Sequence, residues 1–148
     1  MPLAFSQSLA AEDQWIVSGD RAIKEQVEKG KLVLFEPDVN VRDALTVLLQ
    51  GKGWLVLQVS TCDELRVAIE QNGLTAAISE STLPDCAPEE ILELCSNHDV
   101  PVVFTGHDLP LQGAVDLIRQ GATDFLDKPF PQSRLLDLLD RLNSRQNG

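Results

Sequence analysis

Residues 31–59 read KLVLFEPDVNVRDALTVLLQGKGWLVLQV, and this stretch decides the fold. Lys31–Phe35 is an apolar run of strand length, which predicts a buried strand. Across Val39–Gln50 the period changes: Val41, Leu45, Leu48 and Leu49 recur at helical spacing. Gly51-Lys52-Gly53 supplies a turn, and Trp54–Val59 is apolar again. Strand, helix, strand is a β-α-β unit. Its crossover is right-handed, and its strands are parallel.

Downstream the unit repeats. Thr61-Cys62-Asp63-Glu64 has the pattern of a capping box and opens a helix that Gly73 stops. Thr75–Ser79 is a third strand, and Glu89–Cys95 a helix after Pro88, a residue suited to a first helical turn. Pro101–Thr105, then the helix Pro110–Gln120 ended by Gly121, then Asp124–Asp127 follow. The last helix is Gln132–Asn143. Five β-α units predict an α/β domain: a flavodoxin-like five-stranded parallel sheet in the order 2-1-3-4-5, with helices on both faces. The domain is expected over residues 31–146. Upstream, residues 1–30 form an extension that is either mobile or carries one short helix over Asp20–Lys29, with Ala22, Ile23 and Val27 on one face.

Composition sets bounds. Of 148 residues, 43% are hydrophobic and 24% charged, enough for one domain with a real core. The formal net charge of −11 repels nucleic acid and anionic membranes, so neither is expected as a partner. Three cysteines, Cys62, Cys86 and Cys95, lack metal-ligand spacing and read as partly buried thiols in a reducing compartment. No apolar run approaches membrane-spanning length, and no signal peptide is evident. The expected location is the cytoplasm.

In a sheet of this order, function gathers at the carboxyl ends of the strands, near the switch point between the first and third. The first strand runs into Glu36-Pro37-Asp38 and the third into Glu80. The fourth ends in Thr105-Gly106 and the fifth in Asp127-Lys128-Pro129. Two carboxylates, a hydroxyl and an ammonium converge on one rim, in outline an arrangement for handling phosphate or a metal ion.

At these residues the chain resembles the receiver domain of two-component signalling proteins. Gly121-Ala122-Thr123-Asp124-Phe125-Leu126-Asp127-Lys128-Pro129-Phe130 carries most of the likeness, with Val39-Asn40-Val41-Arg42 and Leu83-Pro84 in support. The resemblance covers Lys31 to about Asn143. It implies an aspartate at the end of the third strand that takes phosphate from a histidine kinase, and an acid pair after the first strand that binds Mg²⁺. It implies phosphate contacts from Thr105 and Lys128, a switch aromatic at Phe125 and a cis peptide between Lys128 and Pro129. The partner surface it implies is the face of the fourth helix, fifth strand and fifth helix, facing another protein or a second copy.

The pattern breaks twice. Glu80 stands at the phosphoacceptor position, and Pro37 replaces the second acid of a degenerate acidic pocket that keeps Glu36 and Asp38. Pro37 offers neither a side-chain oxygen nor an N–H, and Asp38 is expected at the start of the next helix, beyond the pocket. The extra methylene of Glu80 moves its carboxylate by about 1 to 1.5 Å toward Lys128, and a shift near 1 Å costs roughly a hundredfold in transfer. Mg²⁺ binding is therefore doubtful, and no cofactor is expected. Two readings of Glu80 stand open: a carboxylate that contacts Lys128 and locks the domain in one conformation, and a solvated loop acid in a decayed receiver. Lys128 also reads as a turn residue before Pro129, and Phe125 reads more as core than as a switch. His98 and His107 read as surface residues. Leu135, Leu136, Leu138, Leu139 and Leu142 are too many for one buried stripe, so part of the last helix is expected to be exposed.

The leading expectation is a pseudo-receiver: an atypical response-regulator receiver domain acting in phosphorelay signal transduction as a phosphorylation-independent interaction or dimerisation module, and not an enzyme. The alternative is a conventional receiver that accepts phosphate on Glu80, Ser79 or Ser81. A flavodoxin-like enzyme or ligand-binding protein ranks third, since Glu36-Pro37-Asp38 stands where a Gly-rich phosphate loop would be needed.

Overall fold

The computed structural model describes residues 29–71 and 73–147. The expected extension and its helix lie outside the described residues, save Lys29 and Gly30. Lys29 donates from its backbone N to Gly53 O at 3.0 Å and pairs with Asp140 at 2.5 Å, fixing where the chain enters.

Alternation of strand and helix runs through the domain. The strands are β1 Lys31–Phe35, β2 Leu55–Val59, β3 Ala76–Glu80, β4 Val102–Gly106 and β5 Asp124–Asp127. The helices are α1 Val39–Gly51, α2 Cys62–Gln71, α3 Pro88–Asn97, α4 Leu111–Arg119 and α5 Gln132–Asn147. All strand pairs are parallel, in the order β2-β1-β3-β4-β5. The flavodoxin-like topology expected from the sequence is the one observed.

Alternate strand residues feed two core layers, as the period of two requires. Val33, Phe35, Ala77, Val102 and Phe104 pack with Leu65 and Ile69 of α2, Ile91 and Leu92 of α3, and Leu117 of α4. On the other face Leu32, Leu34, Ala76, Ile78 and Val103 meet Leu45 and Leu49 of α1 and a run of leucines from α5. That run corrects one expectation. Leu135, Leu138, Leu139 and Leu142 are all buried, and Leu136 packs partly against them. Their spacing of i, i+3, i+4, i+7 is a single helical face, so α5 spends its leucines on the core. Exposed apolar residues lie instead on α4, which packs in the other layer, where Leu111 is 81% and Ile118 45% exposed, seven residues apart on one face.

Local chemistry sets the helix ends. Asp38 caps α1, its carboxylate accepting from Asn40 N at 2.9 Å and Val41 N at 3.3 Å. Before α2, Thr61 Oγ1 accepts from Glu64 N at 3.0 Å, while the Glu64 carboxylate reaches back past Thr61 to Ser60 N at 2.7 Å. Ala87 has no side-chain acceptor, so α3 keeps only the returning half of the box, Ala87 N to Glu90 Oε1 at 3.0 Å. Gly121 ends α4 at φ 122°, a backbone conformation that L side chains rarely adopt.

Cys62 and Cys86 do not stand apart as thiols: the fold joins them in a disulfide with Cα atoms 5.6 Å apart. Their separation of 24 residues hid the pairing, which arises only when α2 packs beside the loop leading to α3. Cys95 is a free, buried cysteine.

Candidate functional site

Register builds the site. Phe35 pairs with Ser79, so the next residues, Glu36 and Glu80, leave the sheet side by side. Glu80 pairs with Thr105 across β3 and β4. Gly106 pairs with Asp127, and Lys128 follows one step beyond β5. Its backbone N donates to Gly106 O at 2.7 Å.

From there the Lys128 ammonium reaches back over β4. It donates to Glu36 Oε1 at 2.5 Å and to Glu80 Oε1 at 2.7 Å. Glu80 turns its second oxygen onto its own loop, where Oε2 accepts from Ser81 N at 3.0 Å, Thr82 N at 3.2 Å and Ser81 Oγ at 3.4 Å. Glu36 Oε2 accepts from Asp38 N at 3.0 Å. Both carboxylates are buried, so these partners compensate the loss of water. Burial alone would lower the Lys128 pKa. The hydrogen bonds and charges of Glu36 and Glu80 outweigh it and hold the ammonium above its ordinary value. Two carboxylates around one ammonium leave the cluster with a net negative charge, which does not favour a further anion.

An open cleft of about 400 Å³ lies over the cluster, lined by Glu36, Pro37, Asp38, Val41, Glu80, Thr82, His107 and Lys128. Asp38 therefore borders the cleft while capping α1, rather than lying beyond it. His107 also faces the cleft, where the sequence reading had it as a surface residue only. Thr82 was missed as well. A positional signal existed for both: Thr82 stands two residues past Glu80, and His107 two past Thr105, at the strand ends that form the rim. Thr105 is buried and absent from the cleft lining. Its carbonyl accepts from Ser81 N at 2.8 Å, tying the Glu80 loop to β4. The Lys128–Pro129 peptide is cis.

Phe125 is half-buried against the core layer of α2, α3 and α4. Its ring tip lies against Gly106: a Cβ built on that glycine would sit 2.9 Å from Phe125 Cζ and 2.6 Å from Ser81 Oγ. The glycine is the gap through which the aromatic ring and the Glu80 loop approach each other.

Comparison with known proteins bears on the fold. No family model matches the sequence, and no curated protein matches it. Solved structures do. The receiver domain of the Francisella response regulator 1452 is 17% identical with a TM-score of 0.72, over 80% of this chain and 99% of that one. The receiver domain of the sensor histidine kinase PA1611 from Pseudomonas aeruginosa, solved with magnesium in its active-site cleft, is 20% identical with a TM-score of 0.68, over 77% and 97%. The beryllofluoride-activated NtrC4 receiver domain, a dimer, is 19% identical with a TM-score of 0.72, over 78% and 97%. The chain has the fold of response-regulator receiver domains. Among the described residues no helix is long and apolar enough to cross a membrane.

Proposed function

We propose that this chain is an atypical receiver domain of two-component signal transduction that works without accepting phosphate, as a protein-interaction module of the cytoplasm rather than as an enzyme. The observation that carries this reading is the double engagement of Glu80. One of its oxygens takes the Lys128 ammonium and the other takes the amides of Ser81 and Thr82. A carboxylate thus occupies the cationic and backbone donors that a phosphoryl group at the same strand end would need. It carries one charge where a phosphoryl group carries nearly two, so the imitation is partial, but it is permanent. Phe125, seated against Gly106, fits a domain held in one state.

The donor set does not suit Mg²⁺. That ion requires near-octahedral oxygen ligation. Pro37 brings no side-chain oxygen, both Glu36 oxygens are already engaged, and Asp38 is occupied in capping α1. Among the described residues no group of three or more His, Cys, Asp or Glu is arranged to hold a metal ion.

The partner on this reading is a protein, either a second copy or a component such as a histidine kinase, engaged through the α4-β5-α5 face. On this reading exposed Leu111 and Ile118 of α4 supply apolar contact on that face. The test is incubation with acetyl phosphate and Mg²⁺ followed by intact-mass analysis. The mass is expected to stay unchanged; a stable gain of one phosphoryl group, on Glu80 or a neighbouring serine, would reject the reading in favour of a conventional phosphoaccepting receiver.

A further inference from the structure

Cys62 opens α2, and Cys86 lies in the loop between β3 and α3, the loop whose Ser81 and Thr82 amides hold Glu80. Their Cα separation of 5.6 Å lies within the range a disulfide spans. Cys86 belongs to the buried core layer and Cys62 is half-buried against it. Leu65 and Ile69 of α2 and Ile91 and Leu92 of α3 pack in the same layer and hold these elements together without the bond.

The pair is also accessible. An open pocket of about 210 Å³ between α2 and α3 is lined by both cysteines, with Arg66, Glu90 and Glu93 among its walls. Cys62 is half-buried while Cys86 is only 3% exposed, so an incoming thiol or disulfide meets the Cys62 sulfur first. Cys62 lies in the first turn of α2, where the helix dipole favours an anion while Asp63 and Glu64 oppose one, and Arg66 adds a positive charge one turn on. That guanidinium is shared with Asp63 at 2.7 Å, and Glu90 and Glu93 act against it, so the activation is moderate.

We propose that Cys62 and Cys86 form a reversible dithiol–disulfide pair, through which a low-molecular-weight disulfide or thiol sets how rigidly the β3–α3 loop holds Glu80. In oxidation the Cys62 thiolate attacks the external disulfide, forming a mixed disulfide and releasing one thiolate. Cys86 then attacks the Cys62 sulfur, the internal bond forms and the second external thiolate leaves. Two electrons pass from the cysteine pair to the external disulfide, and the two cysteine protons pass to the released thiolates. Reduction is the reverse, beginning with attack of an external thiolate on Cys62. The closed ring contains α2, β3, Glu80, Ser81 and Thr82, so the bond restricts the loop that supplies the amides to Glu80. Cys95, in the same core layer, serves as an internal control: burial pushes its thiol up to about 12, which keeps it neutral and unreactive.

The experiment equilibrates the full chain with glutathione at stepped ratios of reduced to oxidised form, quenches with acid and alkylates. Intact mass and peptide mapping then read the linkage, and amide hydrogen exchange reads the loop. The Cys62–Cys86 link is expected to rise with oxidised glutathione and to open again under reduced glutathione without denaturant. The linked form should melt about 10 °C higher and exchange the Ser81 and Thr82 amides several-fold more slowly. The Cys95→Ser variant should behave like wild type, and Cys86→Ser should stop at a mixed disulfide on Cys62. Glutathione adducts without the internal link in wild type, a link that reduced glutathione leaves closed in the native protein, or equal exchange of Ser81 and Thr82 in both forms would each overturn the proposal. These wild-type measurements decide the matter even if Cys86→Ser does not fold.

Discussion

Glu36 and Glu80 share the ammonium of Lys128, which lies 2.5 Å from one carboxylate and 2.7 Å from the other. The three side chains come from the ends of β1, β3 and β5, so a single cation ties together strands that span most of the sheet.

Replacing Lys128 by Met should leave two buried carboxylates without their counter-ion. The expected loss is about 3 kcal/mol, the range for breaking one side of a buried pair, measured by urea unfolding at neutral pH. Glu80→Gln should lose less, because Glu36 keeps the ammonium and the amide side chain can still accept from Ser81 and Thr82. Equal stability of wild type and Lys128→Met would mean that the cluster contributes nothing to folding.

The same cluster predicts a pH dependence. Lys128 is held above the ordinary lysine value of 10.5, so its native form binds the proton more tightly than the unfolded chain does. Its contribution is therefore complete below about pH 10 and is lost as pH rises through the raised native value. The stability gap between wild type and Lys128→Met, followed by urea unfolding from pH 8 upward, should stay constant at first and narrow only in that alkaline window. A gap that narrows already between pH 8 and 9 would contradict the raised value.

Gly106→Ala should force Ser81 and the Phe125 ring to move, since the new methyl would stand 2.6 and 2.9 Å from them. Overpacking of this kind costs about 1–3 kcal/mol. Because the Ser81 hydroxyl can rotate and the ring cannot shrink, Phe125→Leu in the same chain should recover part of the loss. A double-mutant cycle by thermal or urea unfolding measures that coupling; strict additivity would show that the ring is not the obstacle.

On the proposed reading, an acid at position 37 together with an aspartate at position 80 should confer phosphate acceptance. Pro37→Asp supplies a side-chain oxygen beside Glu36, and Glu80→Asp withdraws the carboxylate from its hold on Lys128. The double variant, treated with acetyl phosphate and Mg²⁺, is expected to gain one phosphoryl group by intact mass, with each single change falling short. Failure of the double variant would place the block elsewhere, His107 and Thr82 on the cleft wall being the next positions to change.

Leu111→Glu should leave the fold intact, because surface substitutions usually stay within about 0.5 kcal/mol and Leu111 is 81% exposed. If α4 presents the contact surface, this variant loses self-association or partner binding in sedimentation velocity while melting as wild type does.

Much of this molecule was legible in the sequence, for definite reasons. Apolar runs such as Lys31–Phe35 and helical periods such as Val41, Leu45 and Leu49 report burial directly, and their strict alternation leaves few topologies. The residues that meet Lys128 could be named because strand order places Glu36 next to Glu80. Other features depend on packing angles that a linear pattern does not carry. The leucines of α5 looked excessive until the core width showed that one face holds Leu135, Leu138, Leu139 and Leu142. The link between Cys62 and Cys86 needs α2 and the β3–α3 loop to touch, and the burial of Thr105, whose carbonyl accepts from Ser81 N, follows from how the strand ends pack.

The way Glu80 is held has a consequence in time. A phosphoryl group is added and hydrolysed, so a signal written with it has a lifetime, and enzymes can shorten or extend that lifetime. A carboxylate supplied by translation and fastened by Lys128, Ser81 and Thr82 has no such clock. On the reading proposed here, the amount of message this domain delivers follows the number of copies made and destroyed, and turnover of the chain takes the place of dephosphorylation.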